Sequence, residues 1–247
     1  MKRIERHRLK ENEFARSVER ARQAISERQS EIRLTVTLVL LAALLIGGYT
    51  WWRSARNARA TEMLASALAV AEAPVVPPPP PSPGSAPPVQ QPGTYRTERE
   101  RTEAALPKLL DVANKYPTTE AGITARYRAA SGLAELGRYG EAEQGYQAVI
   151  DKAGRSSIYG RTARLGLGDV LMAQGKNDAA IATFRELSTD SESQLPLDGV
   201  LMQLGRACAQ AGKKEEASRA FTRVVDEFPQ SLYAAEAREQ IAALKKG

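Results

Sequence analysis

Small and aromatic residues recur at a nearly constant interval through the carboxyl-terminal part of the chain. Alanines stand at positions 142, 180 and 217, so the interval is 38 residues and then 37. Each alanine follows a small or Leu-Gly pair by twelve positions and precedes an aromatic residue by four, and these aromatic residues are Tyr146, Phe184 and Phe221. A repeat of this length and pattern predicts an array of antiparallel helical hairpins.

The residue types at these positions explain the spacing. Gly205 and Ala217 have almost no side chain, so the two helices of a hairpin can approach each other closely there. We expect Phe221 and its counterparts to fill the groove towards the neighbouring hairpin, because a single hairpin leaves an apolar face uncovered. Glycines at matching turns can end the first helix of each hairpin in the left-handed conformation, and they are Gly137, Gly175 and Gly212.

This pattern resembles the tetratricopeptide repeat (TPR) family. The last copy, 198–231, carries matching residues at Leu201, Leu204, Gly205, Cys208, Ala217, Phe221, Val224 and Pro229. The copies at 161–194 and 123–156 match less closely and have Arg164 and Arg126 where a large apolar residue is usual. A capping helix is expected over 231–245. The resemblance implies an all-α, TPR-like helical-hairpin solenoid, which we expect to follow a single transmembrane helix.

The membrane helix is predicted over 34–52, a stretch of nineteen residues without a charge. At a rise of 1.5 Å per residue it spans about 28 Å, close to the thickness of a bilayer core of about 30 Å. Trp51 and Trp52 stand at one end, where aromatic rings favour the headgroup region. The alternative is a secretory signal peptide, but 33 residues precede the apolar stretch and no clear cleavage site follows it.

Basic residues predict the orientation of this helix. Residues 1–33 contain ten Lys and Arg, whereas only Arg53, Arg56 and Arg59 follow the span before Arg96. The amino end is therefore expected in the cytoplasm and the repeats in the periplasm of a bacterial inner membrane. The basic segment, 1–33, could also form an amphipathic helix on anionic lipid, or it could be a solvated helix that only sets topology.

Three further segments follow the predicted span. Residues 53–73 are rich in helix-forming residues and predict a helical stalk. Residues 74–93 include ten prolines, which predicts an extended or disordered linker, with a Pro-rich ligand as the alternative. The repeat domain is then 94–247. Within it, 98–116 resembles the second helix of a further hairpin, in which Pro107 should kink or restart the helix; whether the stalk is its partner stays open.

The distribution of charge and the positions of the single histidine and the single cysteine exclude several functions. The chain has a net charge of +6, but the part from Thr94 onwards contains 22 Lys and Arg against 21 Asp and Glu, so we predict no nucleic-acid binding. The only histidine, His7, precedes the span, and the only cysteine is Cys208. No catalytic triad, Cys-His pair or histidine-bearing zinc site can then form on the exported side. We predict no enzyme activity, no cofactor and no metal.

The order of segments carries a second resemblance. A basic lead, one span ending in Gly-Gly-Tyr-Thr-Trp-Trp-Arg-Ser, an Ala-rich stalk and exported hairpins are together similar to the ancillary SecYEG translocon subunit family of bacterial inner membranes. That resemblance implies a chaperone-like subunit whose partners are the SecYEG translocon and exported client proteins, with lipid contacted through the span. The alternative is a scaffold or adaptor in a cell-envelope assembly without a chaperone role.

The TPR resemblance also implies a binding site on the concave face, at the second, fifth, ninth and twelfth positions of each first helix. Carried onto this chain, those positions are Thr124, Tyr127, Ser131, Ala134, Thr162, Leu165, Asp169, Met172, Gly199, Met202, Arg206 and Ala209. We expect protein or peptide segments to bind an adaptable apolar strip of Tyr127, Leu165, Met172 and Met202, because flexible Met side chains suit varied ligands. Asp169 and Arg206 would orient the segment by charge, and Ser131 completes the predicted groove. The alternative for part of the strip, including each Met, is that it belongs to the core between helices.

Overall fold

The structure is a computed structural model that describes residues 29–78, 91–190, 192 and 194–246. The helices in this part of the chain are α1 (Gln29–Ala71), α2 (Glu98–Lys115), α3 (Glu120–Glu135), α4 (Tyr139–Ala153), α5 (Ile158–Ala173), α6 (Asn177–Thr189), α7 (Leu197–Gln210), α8 (Lys214–Glu227) and α9 (Ala234–Lys246). The chain divides into two compact units, Met1–Ala55 and Arg56–Gly247. Within the described ranges there is no β-strand, and one isolated bridge joins Val75 to Tyr95. The all-helical prediction is confirmed.

The first unit contains the amino-terminal part of α1. Its large apolar side chains are exposed from Leu34 to Trp52, and Leu44 is 76% exposed. By length and composition α1 could cross a membrane, although a signal sequence near an amino terminus satisfies the same criterion. Most of the predicted basic segment, residues 1–28, lies outside the described residues, as does 79–90 of the predicted linker.

The second unit is a solenoid in which each helix from α2 to α9 packs against the next one in the chain. The first helices of successive hairpins also touch, α3 with α5 and α5 with α7. Two buried clusters fill the interior, one around Leu109, Val149 and Val170 and the other around Phe184 and Phe221. Leu167 packs against both clusters, so the core is continuous along the array.

Glycine ends the first helix of each hairpin as the sequence predicts. Gly137, Gly175 and Gly212 have φ values of +76°, +74° and +74°. After each glycine the next amide donates to a carbonyl five residues earlier, as from Arg138 to Leu133 at 2.8 Å. This hydrogen-bond pattern is the Schellman motif, and it satisfies carbonyls that the helix end would otherwise leave unpaired. The predicted left-handed turns are therefore confirmed.

Hydroxyl side chains begin the helices at the other end. Thr97, Thr119 and Ser157 each accept a hydrogen bond from the backbone amide three residues later. These caps satisfy amides that have no partner inside the helix. The first helices α3 and α5 are thus bounded on both sides, by a hydroxyl residue before the helix and by a glycine after it.

The two Phe rings pack differently from the sequence-based expectation. A side chain added at Gly168 would overlap the ring of Phe184, and one added at Gly205 would overlap the ring of Phe221. Each ring therefore lies over the glycine of its own hairpin, because only a residue without Cβ leaves room there. Tyr146 does reach the neighbouring hairpin, where its ring lies against Gly166.

The carboxyl-terminal part of α1 pairs with α2. Ala60 and Ala67 are fully buried, and Met63, Leu64 and Leu68 pack against the cluster that contains Leu109 and Val112 of α2. Residues 56–71 thus cover the amino-terminal end of the core to which α2 contributes. Helix α2 runs without a restart through Pro107, whose side chain is exposed.

Two arginines occupy interior positions of α5. Arg161 and Arg164 are only 7% and 6% exposed. Arg161 Nε lies 2.8 Å from Asp190 Oδ2, and Arg164 Nη2 lies 2.6 Å from Glu186 Oε2. Burial lowers the pKa of Arg164, because a charged group loses hydration there. The TPR consensus has a large apolar residue at the position of Arg164. The carboxylates offset the free-energy cost of burying a charged side chain there.

Two glycine substitutions test the packing of the hairpins. Gly205→Ala should lower the free energy of unfolding by about 1–3 kcal/mol, because the new methyl group would overlap the buried Phe221 ring. Gly140→Ala is the matched control, since a Cβ at Gly140 meets nothing within 4 Å. It should raise stability by up to about 1 kcal/mol through helix propensity. Chemical denaturation measures both, and shifts of the same sign would contradict the proposed contact.

Candidate protein-binding groove

The predicted groove residues lie on α3, α5 and α7, which stand side by side in the array. On α3, Tyr127 is half-buried, and its ring meets the ring of Tyr146 edge to face at a centroid distance of 5.7 Å. Ser131 is half-buried and hydrogen-bonds to Tyr146, while burial raises the pKa of Tyr146 to about 12. The aromatic pair therefore stays uncharged and forms a fixed wall at this end of the surface.

A row of polar side chains connects α5, α7 and α9. Gln203 Nε2 donates to Asp169 Oδ1 at 2.6 Å, and Arg206 Nη1 donates to Gln203 Oε1 at 2.9 Å. Arg206 Nη2 also donates to Glu236 Oε1 at 2.6 Å. Asp169 and Arg206, which the sequence predicts to orient a ligand, are thus brought together through Gln203.

Asp169 is the most strongly perturbed carboxylate of this row. Its side chain is accessible to water, yet protein atoms surround it, and this loss of bulk hydration raises its pKa to about 6. The charge of Arg206 and the hydrogen bond from Gln203 act in the opposite direction and lower the pKa. Asp169 therefore carries a proton in mildly acidic solution, at a pH where an ordinary aspartate is ionised.

The apolar residues of the predicted strip divide into two groups. Leu165 and Met172 are half-buried, so part of each side chain faces solvent while the rest packs against the core. Met202 is fully buried at 0% exposure. It belongs to the core and does not reach a ligand, which corrects its assignment to the groove.

The remaining predicted positions lie around these residues. The partly exposed ones are Thr124, Ala134, Thr162, Gly199 and Ala209. Gly199 lies next to the ring of Tyr233, which a Cβ at Gly199 would meet at 3.6 Å. This end of the surface is therefore narrowed by the residues that lead into α9.

Sequence reasoning missed Gln203 and Glu236. Glu236 follows Met202 by 34 residues, the consensus length of the TPR repeat. Extending the repeat by one unit into the capping helix would have placed Glu236 at the fifth position of a further first helix. Gln203 gives no such signal, because it stands one position after a predicted groove residue.

The metal-ligating residue types and the cysteine can be placed in the described part of the chain. No group of three or more His, Cys, Asp or Glu residues there could hold a metal ion. Cys208 is buried, and desolvation raises the pKa of its thiol, which disfavours the reactive thiolate. The chemistry of this surface is that of hydrogen bonds, charge and apolar contact.

Comparison with known proteins identifies the family. The sequence profile of the tetratricopeptide repeat-like domain matches residues 29–245. The chain belongs to this family. Its fold is a protein-interaction scaffold that is typically non-enzymatic, and solenoids of this kind bind along their concave surfaces.

Similar solved structures share the repeat fold at low sequence identity. A tetratricopeptide repeat protein from Parabacteroides merdae is 13% identical, with a TM-score of 0.50 over 60% of this chain and 56% of that one. MamA from Desulfovibrio magneticus RS-1 is 18% identical, with a TM-score of 0.46 over 60% and 86%. YrrB, described as a TPR protein with an unusual peptide-binding site, is 19% identical, with a TM-score of 0.46 over 59% and 68%. No curated protein matches the chain.

The raised pKa of Asp169 predicts a pH dependence of stability. Because the folded pKa of about 6 exceeds the ordinary aspartate pKa of 3.8, the folded state binds the proton more tightly, so Asp169 lowers stability as pH rises from about 4 to 6. Asp169→Asn should remove this loss. At pH 8 it should raise the free energy of unfolding by less than about 1 kcal/mol, since the side chain is exposed, and the gain should vanish below about pH 4. Urea denaturation at several pH values measures the difference, and a gain independent of pH would contradict the assignment.

Proposed function

We propose that this protein is a membrane-anchored module that binds segments of other proteins on the exported side of a bacterial inner membrane, as a chaperone-like accessory of the protein-export translocon. The observation that carries the proposal is the mixed surface on α3 and α5. There the half-buried Leu165 and Met172 share one helix with the accessible carboxylate of Asp169. Such a surface offers apolar contact and hydrogen bonding to the same ligand.

The composition of the groove favours varied protein ligands over one small molecule. Met172 has a flexible side chain that can adapt to different apolar residues. Asp169, Gln203 and Arg206 hydrogen-bond to one another and remain at least partly accessible. A bound backbone could replace these bonds with its own amides and carbonyls, at a small net cost. Tyr127 adds a rigid aromatic contact beside the flexible ones.

The exposed apolar part of α1 supports the membrane anchor. A run of exposed Leu, Val and Ile side chains between Leu34 and Ile46 is unfavourable in water and suited to lipid. The basic residues before the span favour a cytoplasmic amino end and a periplasmic array. We keep the sequence-based division into 1–33, 34–52, 53–73, 74–93 and 94–247 as part of this proposal. The contacts of 56–71 with α2 attach the stalk to the array.

The link to the translocon rests on the similarity in segment order to the ancillary SecYEG subunits. In that setting the groove would hold stretches of exported clients as they emerge. The alternative is a scaffold or adaptor in a cell-envelope assembly, which would use the same surface to hold one fixed partner. The two functions differ in the variety of proteins that contact Leu165 and Met172.

Membrane topology is the first expectation to test. A reporter that is active only in the periplasm should be active when fused after Gly247, and the protein should stay with membranes during an alkaline wash, because 34–52 would hold it in lipid. A matched fusion placed after Arg33 should be inactive. A soluble product cut near Ala60 would show a signal peptide, and an inactive reporter after Gly247 would reverse the orientation.

Site-specific crosslinking tests the groove. A photoreactive amino acid at Leu165 or Met172 should crosslink to many exported proteins in living cells. The same group at the exposed positions Ala182 and Thr222, on second helices, serves as the matched control and should give few products. One stoichiometric partner would favour the scaffold.

Substitution provides the complementary measurement. Leu165→Ser together with Met172→Ser should abolish the crosslinks of a probe at Asp169, while Thr222→Ser leaves them unchanged. Both altered side chains are only partly in the core, so the melting temperature should fall by several degrees at most. Equal crosslinking from the groove and from the second helices, with folding intact, would refute the proposed binding face.

A further inference from the structure

A pocket of about 420 Å³ opens where the end of α1 meets α2 and α3. Buried side chains of α2, Leu106 and Leu109, line its inner part, and Ser131 of the predicted groove lies at its wall. On the α3 side Gly132 lies close to Thr102, since a Cβ at Gly132 would approach Thr102 Cγ2 to 3.0 Å. The pocket is therefore an extension of the groove surface towards the amino-terminal end of the array.

Two arginines line this pocket, and one of them has an unsatisfied donor. Arg101 Nε is buried and donates to no acceptor in the part of the chain that the structure describes. Within the same described ranges, no ion pair joins Arg101 or Arg128 to a carboxylate. Elsewhere in the array, Arg161 and Arg206 have carboxylate partners at 2.8 and 2.6 Å. The guanidinium groups of Arg101 and Arg128 thus line the pocket without a carboxylate partner among the described residues, and a ligand carboxylate would supply one.

The two glutamates of the pocket do not fill this role. Glu135 accepts a hydrogen bond from Thr102 at 3.2 Å, and Glu72 lies at the end of α1. Both glutamates and Arg128 are exposed, whereas Arg101 is half-buried. Water screens the exposed carboxylates more strongly than the partly buried guanidinium, so Arg101 dominates the attraction felt by a charged group inside the pocket.

We propose that this pocket binds an acidic side chain of the protein segment held in the groove, with the carboxylate on Arg101 and Arg128. The inference rests on the proposed function and adds a chemical preference to it. A guanidinium offers two parallel donors that match the two oxygens of a carboxylate. The aliphatic part of the acidic side chain, or an apolar neighbour, would lie against Leu106 and Leu109. Clients would thus be selected by an acidic residue next to apolar ones.

Peptide binding to the full-length protein in detergent tests this preference. The probe is a fluorescein-labelled, carboxyl-amidated peptide Ala-Leu-Ala-Glu-Ala-Leu-Ala, compared by fluorescence anisotropy with its Gln counterpart. We expect the Glu peptide to bind about tenfold more tightly, since a charge-assisted bond is lost with Gln. A third peptide, with Gln and a free carboxyl terminus, separates a side-chain carboxylate from a chain end. Tight binding of that peptide alone would overturn the proposal.

Variants of two arginines on α2 provide the control within the protein. Arg101→Gln should abolish the preference for Glu without lowering the melting temperature, because the substitution removes an unsatisfied buried donor. Arg99→Gln makes the same change of charge on the exposed side of α2 and should keep the preference. Equal affinities for the Glu and Gln peptides, including no measurable binding of either, would overturn the carboxylate site. Crosslinks from Leu165 and Met172 would then still report on the groove itself, so the two proposals can fail separately.

Discussion

The contact between an aromatic ring and a glycine sets the geometry on which the array depends. The rings of Phe184 and Phe221 are fully buried over Gly168 and Gly205, and these contacts join the two helices of the last two hairpins, α5–α6 and α7–α8. Since a repeat array is stabilised mainly by contacts between neighbours, the same close approach must recur for the first helices to align. The groove residues stand on those first helices. A candidate binding surface assembled from three hairpins therefore depends on packing at positions outside that surface.

The partners of the buried arginines distinguish those with a structural role from those that are candidates for binding a ligand. Arg161 and Arg164 are more deeply buried than Arg101, but each has a carboxylate within 2.8 Å. Removing hydration from a guanidinium is unfavourable, and a short ion pair with additional hydrogen bonds offsets that cost. Arg101 lacks such a partner in the described part of the chain, at the edge of an open pocket. The environment of the side chain, and not the residue type, indicates which arginine is available to a ligand.

The repeats could be predicted from the sequence because their signals are local. Glycine at a helix end and a small residue opposite an aromatic one act within a single hairpin, so spacing alone identifies them. Met202 shows where this reasoning fails. Its repeat position indicates the correct helix, but its neighbours Gly199 and Arg206 contact Tyr233 and Glu236, which cover this part of α7. A consensus position specifies the face of a helix, whereas the exposure of a residue depends on the element that packs there.

The apolar face at the amino-terminal end of the array has to be covered. Repeat arrays need a terminal element that covers the last apolar face. Here residues 56–71 of α1 provide that cover, with Ala60 and Ala67 fully buried and Leu64 and Leu68 against the core. The connection from α1 to α2 is held at its ends by a pair of backbone hydrogen bonds, from Tyr95 to the Pro74 carbonyl and from Val76 to the Tyr95 carbonyl. The helix that contains the candidate span thus also covers the amino-terminal end of the core. A soluble fragment that began at the predicted repeat domain, residue 94, would leave Leu109 and its neighbours without this cover, so a stable fragment should include residues 56–71.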